Sequence, residues 1–448
     1  MNILLVSLNR LAAPFPVHPL GLDHVAGALE PSHQVDIVDL AAPGASLAQA
    51  LARQEPQVVG LSLRNLDNVD HSQPQGFLEA AREAVEEISG LTRAPLVLGG
   101  SGFSIMPARV LARLGADYGV VGEGERFRAV AEALAAGRSP AGLPGVVLPG
   151  QPAPRPGPWD GVPRRRLPRP GPALAHYLDR GGMLGLQTKR GCPFRCAYCT
   201  YPYLEGHGLR LLEPAAAAQE ALALERAGAR FLFVVDSVFN AHPAHSLAVA
   251  RAFRQAGLGI PWGGFFAPLP MPPGYYQELA AAGLTHVEFG TEALDEATLT
   301  AYGKPFTWSQ ALAAHAAALE AGLFVAHYLL LGGPGETPDT LARTLERAAG
   351  LRQGVVFLFE APRIFPGTLL CARALAEGVV TPEHDLLEPV FYRSPGLPPA
   401  QAQEMIAQAA KGRADWITGA GGARLASLVA GLHRHGHAGP LWERLIRG

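Results

Sequence analysis

Short apolar runs alternate with helical stretches twice along this chain, and a segment dense in Pro, Gly and Arg separates the two sets. In the first set the apolar runs lie at residues 2–8, 35–38, 58–63, 96–98 and 118–121. Helical spacing fills the intervals at 20–29, 47–54, 76–88, 107–114 and 127–136. In the second set the runs lie at 183–188, 231–235, 261–266, 286–289, 324–331 and 355–360, again with helical stretches between them. A strand–helix–strand rhythm of this kind calls for parallel strands with helices packed on the faces of the sheet. The expected fold is α/β: an N-terminal doubly wound parallel sheet over residues 1–140, a linker over 141–177, a partial (β/α)6 barrel over 178–370 and a small helical cap over 371–448. Regular structure cannot persist in the linker, GQPAPRPGPWDGVPRRRLPRPGP, and its run Arg164, Arg165, Arg166 is expected to be solvated.

Parallel sheets place their ligands at the carboxyl ends of their strands. In the first set those ends carry Ser7, the Arg64–Asn65 pair, the Gly99, Gly100, Ser101, Gly102 run and the Gly122, Glu123, Gly124 run. In the second they carry Asp236, Glu292, the AYGKP stretch with Lys304, the Gly332–Gly333 turn of LLLGGPGET, and Arg363. Each has a plain structural alternative: Asp236 as a helix N-cap, Arg64 as a capping or salt-bridging residue, the glycines as tight turns.

The first strand of the second set delivers RGCPFRCAYCT, which holds three of the four cysteines: Cys192, Cys196 and Cys199. A disulfide framework needs paired cysteines in a secretory context. A structural zinc site needs a second ligand pair, and none accompanies this one. Three thiolates at C-x₃-C-x₂-C spacing can hold three irons of a [4Fe–4S] cluster, which otherwise takes four, and leave one iron open to a small ligand. Tyr198 would shield the cluster. Cys371, the fourth cysteine, is expected to be a buried apolar residue.

This motif resembles that of the radical S-adenosylmethionine (SAM) enzymes. The phrases PLGLDHVAGALE, LVLGGSGF and DYGVVGEGE resemble the Rossmann-like cobalamin-binding domain that precedes many of them. The resemblance spans about residues 1–370 and implies a cobalamin-dependent radical SAM methyltransferase. In that class the open iron chelates SAM, a reduced cluster cleaves it, and methylcobalamin delivers a methyl group to a substrate carbon. It implies Tyr198, Asp236, Glu292, Gly332 and Gly333 at SAM. It implies Ser7, Arg64, Asn65, Gly99, Gly100, Ser101, Gly102, Gly122, Glu123 and Gly124 at cobalamin. Pro16 stands where the D-x-H-x-x-G pattern needs Asp, so His18 is expected to be a loop residue and cobalamin to lack a histidine lower ligand. The substrate is expected to be a small molecule or natural product, with an electron donor such as flavodoxin or ferredoxin.

A net charge of −2 gives no electrostatic case for nucleic acid. No apolar run approaches the length of a membrane span, and MNILLVSLNR lacks the pattern of a signal peptide. Thiolates kept for a cluster fit a reducing cytoplasm. A radical cyclase or rearrangement enzyme on the same two domains is the alternative. A methylthiotransferase would need cysteines in the first domain, and residues 1–191 have none. In the tail, 397–410 and 423–445 read as helices, and His433, His435 and His437 as exposed residues.

Overall fold

The computed structural model describes residues 1–11, 15–419 and 421–446. The first domain is a six-stranded sheet of β1 (Asn2–Ser7), β2 (Gln34–Asp39), β3 (Val58–Ser62), β4 (Leu96–Gly99), β5 (Tyr118–Val120) and β6 (Val146–Val147). The order is β2-β1-β3-β4-β5-β6, parallel except for β6, which pairs antiparallel with β5. The sheet thus runs past the expected boundary at residue 140. Ile3 and Leu5 face a core with Leu22, Val25 and Phe127, and Leu4 and Val6 face the opposite one. This alternation with both faces covered is why β1 reads as an unbroken apolar run. Chain direction reverses on either side of β1, so the carboxyl ends of β1 and β3 flank a topological switch point.

The linker is less irregular and less solvated than its composition suggests. Pro172–Leu178 is a helix. The Arg165 side chain is 2% exposed and joins Asp23 of the first domain to Glu220 of the second. Arg166 binds Glu30 and the Val35 carbonyl. Two of the three adjacent cations avoid solvent here because carboxylates meet them, while Arg164 stays exposed.

The second domain starts with β7 (Met183–Leu186). A short antiparallel pair, β8 (Lys189–Arg190) and β9 (Arg210–Leu211), frames the cysteine loop. Then follow β10 (Phe231–Val234), β11 (Trp262–Phe266), β12 (Leu284–Glu292), β13 (Phe324–Leu331), β14 (Gly354–Glu360) and β15 (Trp416–Thr418). The sheet order is β15-β14-β13-β12-β11-β10-β7, all parallel. The expected six strands are present, and a seventh comes from the tail. The tail is therefore not a helical cap alone. Pro399–Ala410 lies against the outer core, while Leu425, Val429, Leu441 and Trp442 pack on Ala326, Val355 and Phe357, the opposite face of the sheet. The tail thus covers part of the inner, concave face of an open sheet.

His433 is buried, with its Nε2 3.2 Å from the Gly439 carbonyl, whereas His435 is exposed. Cys371 is buried in a core shared with Leu66, Leu98 and Phe103 of the first domain. The two domains thus share apolar packing as well as ion pairs.

Candidate active site

The cysteine loop hangs from the β7 end on a buried acid. Asp236, fully buried after β10, accepts hydrogen bonds from the Thr188 backbone N–H (2.7 Å) and hydroxyl (2.6 Å) and from the Lys189 N–H (3.2 Å), and pairs with Lys189 Nζ (2.8 Å). Both its oxygens are used within the protein. Asp236 therefore roots the loop. Ser237 adds a bond to the Gly191 carbonyl (3.1 Å).

The AYGKP stretch holds the other side of the loop. The Tyr302 carbonyl accepts from Ala197 N–H (2.8 Å), and a Cβ on Gly303 would lie 2.7 Å from the Arg195 carbonyl oxygen. Lys304 Nζ sits 2.5 Å from Glu292 Oε2 and 3.7 Å from Cys196 Sγ. Tyr198 Oη donates to Glu292 Oε1 (2.5 Å). Glu292 stands at a register shift of β12 with φ +59°, in the left-handed region. Such strain persists only where neighbours over-determine it. One support is a buried chain in which Thr291 Oγ1 meets His327 Nδ1 (2.8 Å), and His327 Nε2 meets His315 Nδ1 (3.0 Å). Glu292, Tyr198, Lys304 and the cysteines thus form one cluster.

Cys192, Cys196 and Cys199 are free thiols in this single loop. Among the described residues no three His, Cys, Asp or Glu converge on one metal ion; thiolates on a cubane bind three different irons and need no common point. Burial pushes the Cys199 thiol up to about 12, a cost that a bound cationic cluster removes. The donor set and its burial fit an iron–sulfur group.

The Gly332–Gly333 turn is tight for a different reason from the one its sequence suggests. Glu336, fully buried, accepts from the Gly332 and Gly333 N–H groups. Their carbonyls bind the Ser394 and Glu336 N–H groups. A Cβ on Gly333 would fall 2.0 Å from Tyr302 Oη. The close approach is to a protein side chain, and both peptide groups are spent inside the loop. Burial raises the Glu336 carboxyl to about 7, and its Oε1 has no partner.

At the switch point of the first domain, Ser7, Arg64, Gly100 and Ser101 line one cleft with Asn9, Val17, Pro19, Gly21, Leu22 and Ser62. Gly100 has φ +103°, and a Cβ there would lie 2.5 Å from the Leu63 carbonyl oxygen. Gly99 ends β4, and Gly102 packs against the Arg64–Asn65 peptide, so neither Gly99, Gly102 nor Asn65 lines the cleft. Sequence reasoning missed Asn9. Among the described residues its buried Oδ1 has no partner, and the Arg64 guanidinium at the cleft makes no side-chain hydrogen bond or ion pair with them. Unpaired polar groups around a cleft fit a cofactor whose rim carries amides. His18 is buried rather than solvated, edge-on to Tyr177 and 3.6 Å from Asp23; burial and Arg165 lower it to about 3.

The Gly122–Gly124 run lies elsewhere. Glu123 pairs with Arg190 (2.5 Å) and Arg210 (2.6 Å), Gly122 N–H donates to Ser104 Oγ (2.9 Å), and Gly124 faces Val25. This run belongs to the domain interface, a destination invisible without the tertiary fold. Arg363 is also an interface residue, bound to Asp67 of the first domain (2.8 Å) and to the Leu386 carbonyl (2.8 Å).

On its concave face the barrel presents aromatic rings. Phe233 and Phe265 meet edge to face at 4.9 Å, and Tyr328 stacks on Phe357 at 4.7 Å and 5°. Phe265 is 41% exposed despite its place in a central strand. Behind the stack, the buried Glu288 accepts from Tyr328 Oη (2.9 Å) and Trp442 Nε1 (2.9 Å).

Residues 6–131 match the B12 binding domain, and residues 186–348 match the radical SAM superfamily. The chain is 27% identical to a tryptophan 2-C-methyltransferase of Streptomyces laurentii, over 84% of this chain and 74% of that one. It is 24% identical to an uncharacterised methyltransferase of Pyrococcus horikoshii, over 81% and 79%. The solved structure of the radical SAM methyltransferase TsrM from Kitasatospora setae, with tryptophan and a SAM analogue bound, aligns with a TM-score of 0.86 at 25% identity, covering 99% of this chain and 97% of that one. The same enzyme with cobalamin and a [4Fe–4S] cluster gives 0.84 at 26% identity, with the same coverage. A B12 binding domain and a radical SAM domain are thus joined in this one chain across a buried interface, in the fold also seen in the TsrM methyltransferase.

Proposed function

We propose that the enzyme transfers a methyl group from SAM, by way of cobalamin, to a carbon of a planar aromatic small molecule of the tryptophan type. When bound, the cluster and SAM supply the reactive methyl and adenosyl chemistry and the corrin carries the methyl group. Cys192, Cys196 and Cys199 would hold three irons. Glu292, held by Tyr198 and Lys304, would present its carboxylate beside the SAM position. Ser7, Asn9, Arg64 and Ser101 would hold the corrin cofactor. A guanidinium has no free lone pair, so Arg64 would do so without ligating the metal. An electron donor of flavodoxin or ferredoxin type, in a reducing cytoplasm that keeps three thiols free, completes the reading.

The observation that carries the substrate class is the concave aromatic face. Phe233 and Phe265 present a ring pair from adjacent strands, with Phe265 41% exposed, beside the Tyr328–Phe357 stack that packs under the tail, and such surfaces stack on flat π-systems. The TsrM structure that this chain resembles holds tryptophan. The test is anaerobic reconstitution with iron, sulfide and cobalamin, then incubation with trideuteromethyl-SAM and either tryptophan and other indoles or aliphatic amino acids. The expected result is a labelled methyl group on carbon in the aromatic set alone. Labelling confined to the aliphatic set, or SAM consumption without any methylated product, would overturn it.

A further inference from the structure

One cluster of buried charges ties the cysteine loop directly to the first domain. Arg190 ends β8, two residues ahead of Cys192. Its Nη1 lies 2.5 Å from Glu123 Oε2, its Nη2 2.6 Å from Glu125 Oε1, and its Nε 3.0 Å from Gln187 Oε1. Glu123 uses its other oxygen on Arg210 of β9 (2.6 Å) and on the Trp159 N–H (3.3 Å). Glu205, just past the cysteines, accepts from Gly191 N–H (2.9 Å). The side chains of Arg190, Glu123 and Glu125 are each at most 7% exposed.

Two further arginines cross the same interface. Arg165 reaches Asp23 from the linker, and Arg363 reaches Asp67 from the segment after β14. Both act away from the cysteines. Arg190 alone of these three is continuous with the cysteine loop. Its partners follow β5, on the sheet whose β1 and β3 ends flank the switch-point cleft. A guanidinium fork that binds two carboxylates at once fixes direction as well as distance, which an ammonium cannot do. A buried fork of this kind, with all three Arg190 nitrogens paired, specifies one arrangement more than it adds stability.

We propose that Arg190 is a positioning residue that, through Glu123 and Glu125, sets the spacing between the cysteine loop and the corrin cleft across which the methyl group passes. The inference rests on the cofactor placements proposed above. Reactions held in a bound geometry lose on the order of 100-fold for a misplacement near 1 Å, so a loosened clamp should slow transfer without emptying either site.

The test compares wild type with R190K and with the double variant R190M/E125Q. The double variant removes charge from both sides and leaves Glu123 on Arg210, so no unpaired charge stays buried. Iron content, cobalamin retained after desalting and SAM affinity are measured first, then kcat and KM for methyl transfer to substrate. The expected result is wild-type loading and an unchanged KM. The kcat should fall about 10- to 100-fold in R190M/E125Q and less in R190K, with more SAM consumed per product formed. A wild-type kcat in loaded R190M/E125Q would overturn the proposal. So would a loss of activity that only tracks lost iron or cobalamin, which marks a purely structural role. Wild type that binds both cofactors but methylates nothing would overturn the functional reading itself, and this inference with it.

Discussion

At the carboxyl ends of β1 and β3 the first domain leaves Asn9 Oδ1 and the Arg64 guanidinium without partners among the described residues, whereas at the ends of β10 and β12 the barrel pairs Asp236 with Lys189 and Glu292 with Lys304. Both rims follow the same rule of parallel sheets. The first is a socket whose polar groups wait for a large cofactor. The second spends its charges on itself, because a loop of three cysteines must be held open before any iron arrives. Burying a polar group without a partner is costly, so the difference shows where each domain expects its bonds to come from.

The sharpest way to break the comparison is at Asp236. D236N leaves the buried Lys189 ammonium without a counter-charge, and removing one partner of a buried pair costs about 3–5 kcal/mol. We expect a large drop in the denaturation midpoint and poor iron incorporation. Unchanged stability would show that the barrel rim is not self-supporting.

Glu336 gives the next largest effect. Its carboxyl is raised by burial from 4.5 to about 7, against the two N–H bonds that favour its ionised form. A carboxyl whose folded pKa stands above the unfolded one stabilises fully below pH 4.5 and loses that contribution as pH rises through about 7. E336Q should flatten the fall in stability between pH 5 and 8, a difference on the order of 3 kcal/mol. Parallel pH profiles for wild type and E336Q would refute this.

Asn9 gives the smallest. N9A should weaken cobalamin binding about 2- to 10-fold, the worth of one hydrogen bond. It should leave thermal stability unchanged, since Asn9 Oδ1 has no bond among the described residues. Spectroscopic titration with cobalamin measures the first and thermal unfolding the second. A loss of stability instead of affinity would erase the contrast between the two rims.

These residues also mark what could be read from the chain alone. The strands announced themselves because both faces of the first sheet are covered and the second sheet carries apolar residues on both of its faces, which writes continuous apolar runs into the sequence. The cysteine loop was legible because its chemistry is local to eight residues. The seventh strand was not, since β15 is only Trp416–Thr418, too short to show a period and separated from β14 by two helices. Arg165 and Glu123 looked like solvent and cofactor residues because a charge reveals nothing of a partner 142 or 67 residues away. Asn9 was passed over for the same reason reversed: an unpaired amide is distinguishable from a paired one only when its surroundings are built.

The contact between Gly333 and Tyr302 links two loops mechanically. Tyr302 fills the space a side chain at 333 would need, its hydroxyl holds the Leu330 carbonyl, and its own carbonyl holds Ala197 inside the cysteine loop. Ala197 in turn holds Leu370. Even a methyl group at 333 would push on a ring whose other end grips the cysteine loop, so a change at the β13 loop would be felt at the iron ligands. The two loops behave as one lever, and a single hydrogen atom on Gly333 sets its play.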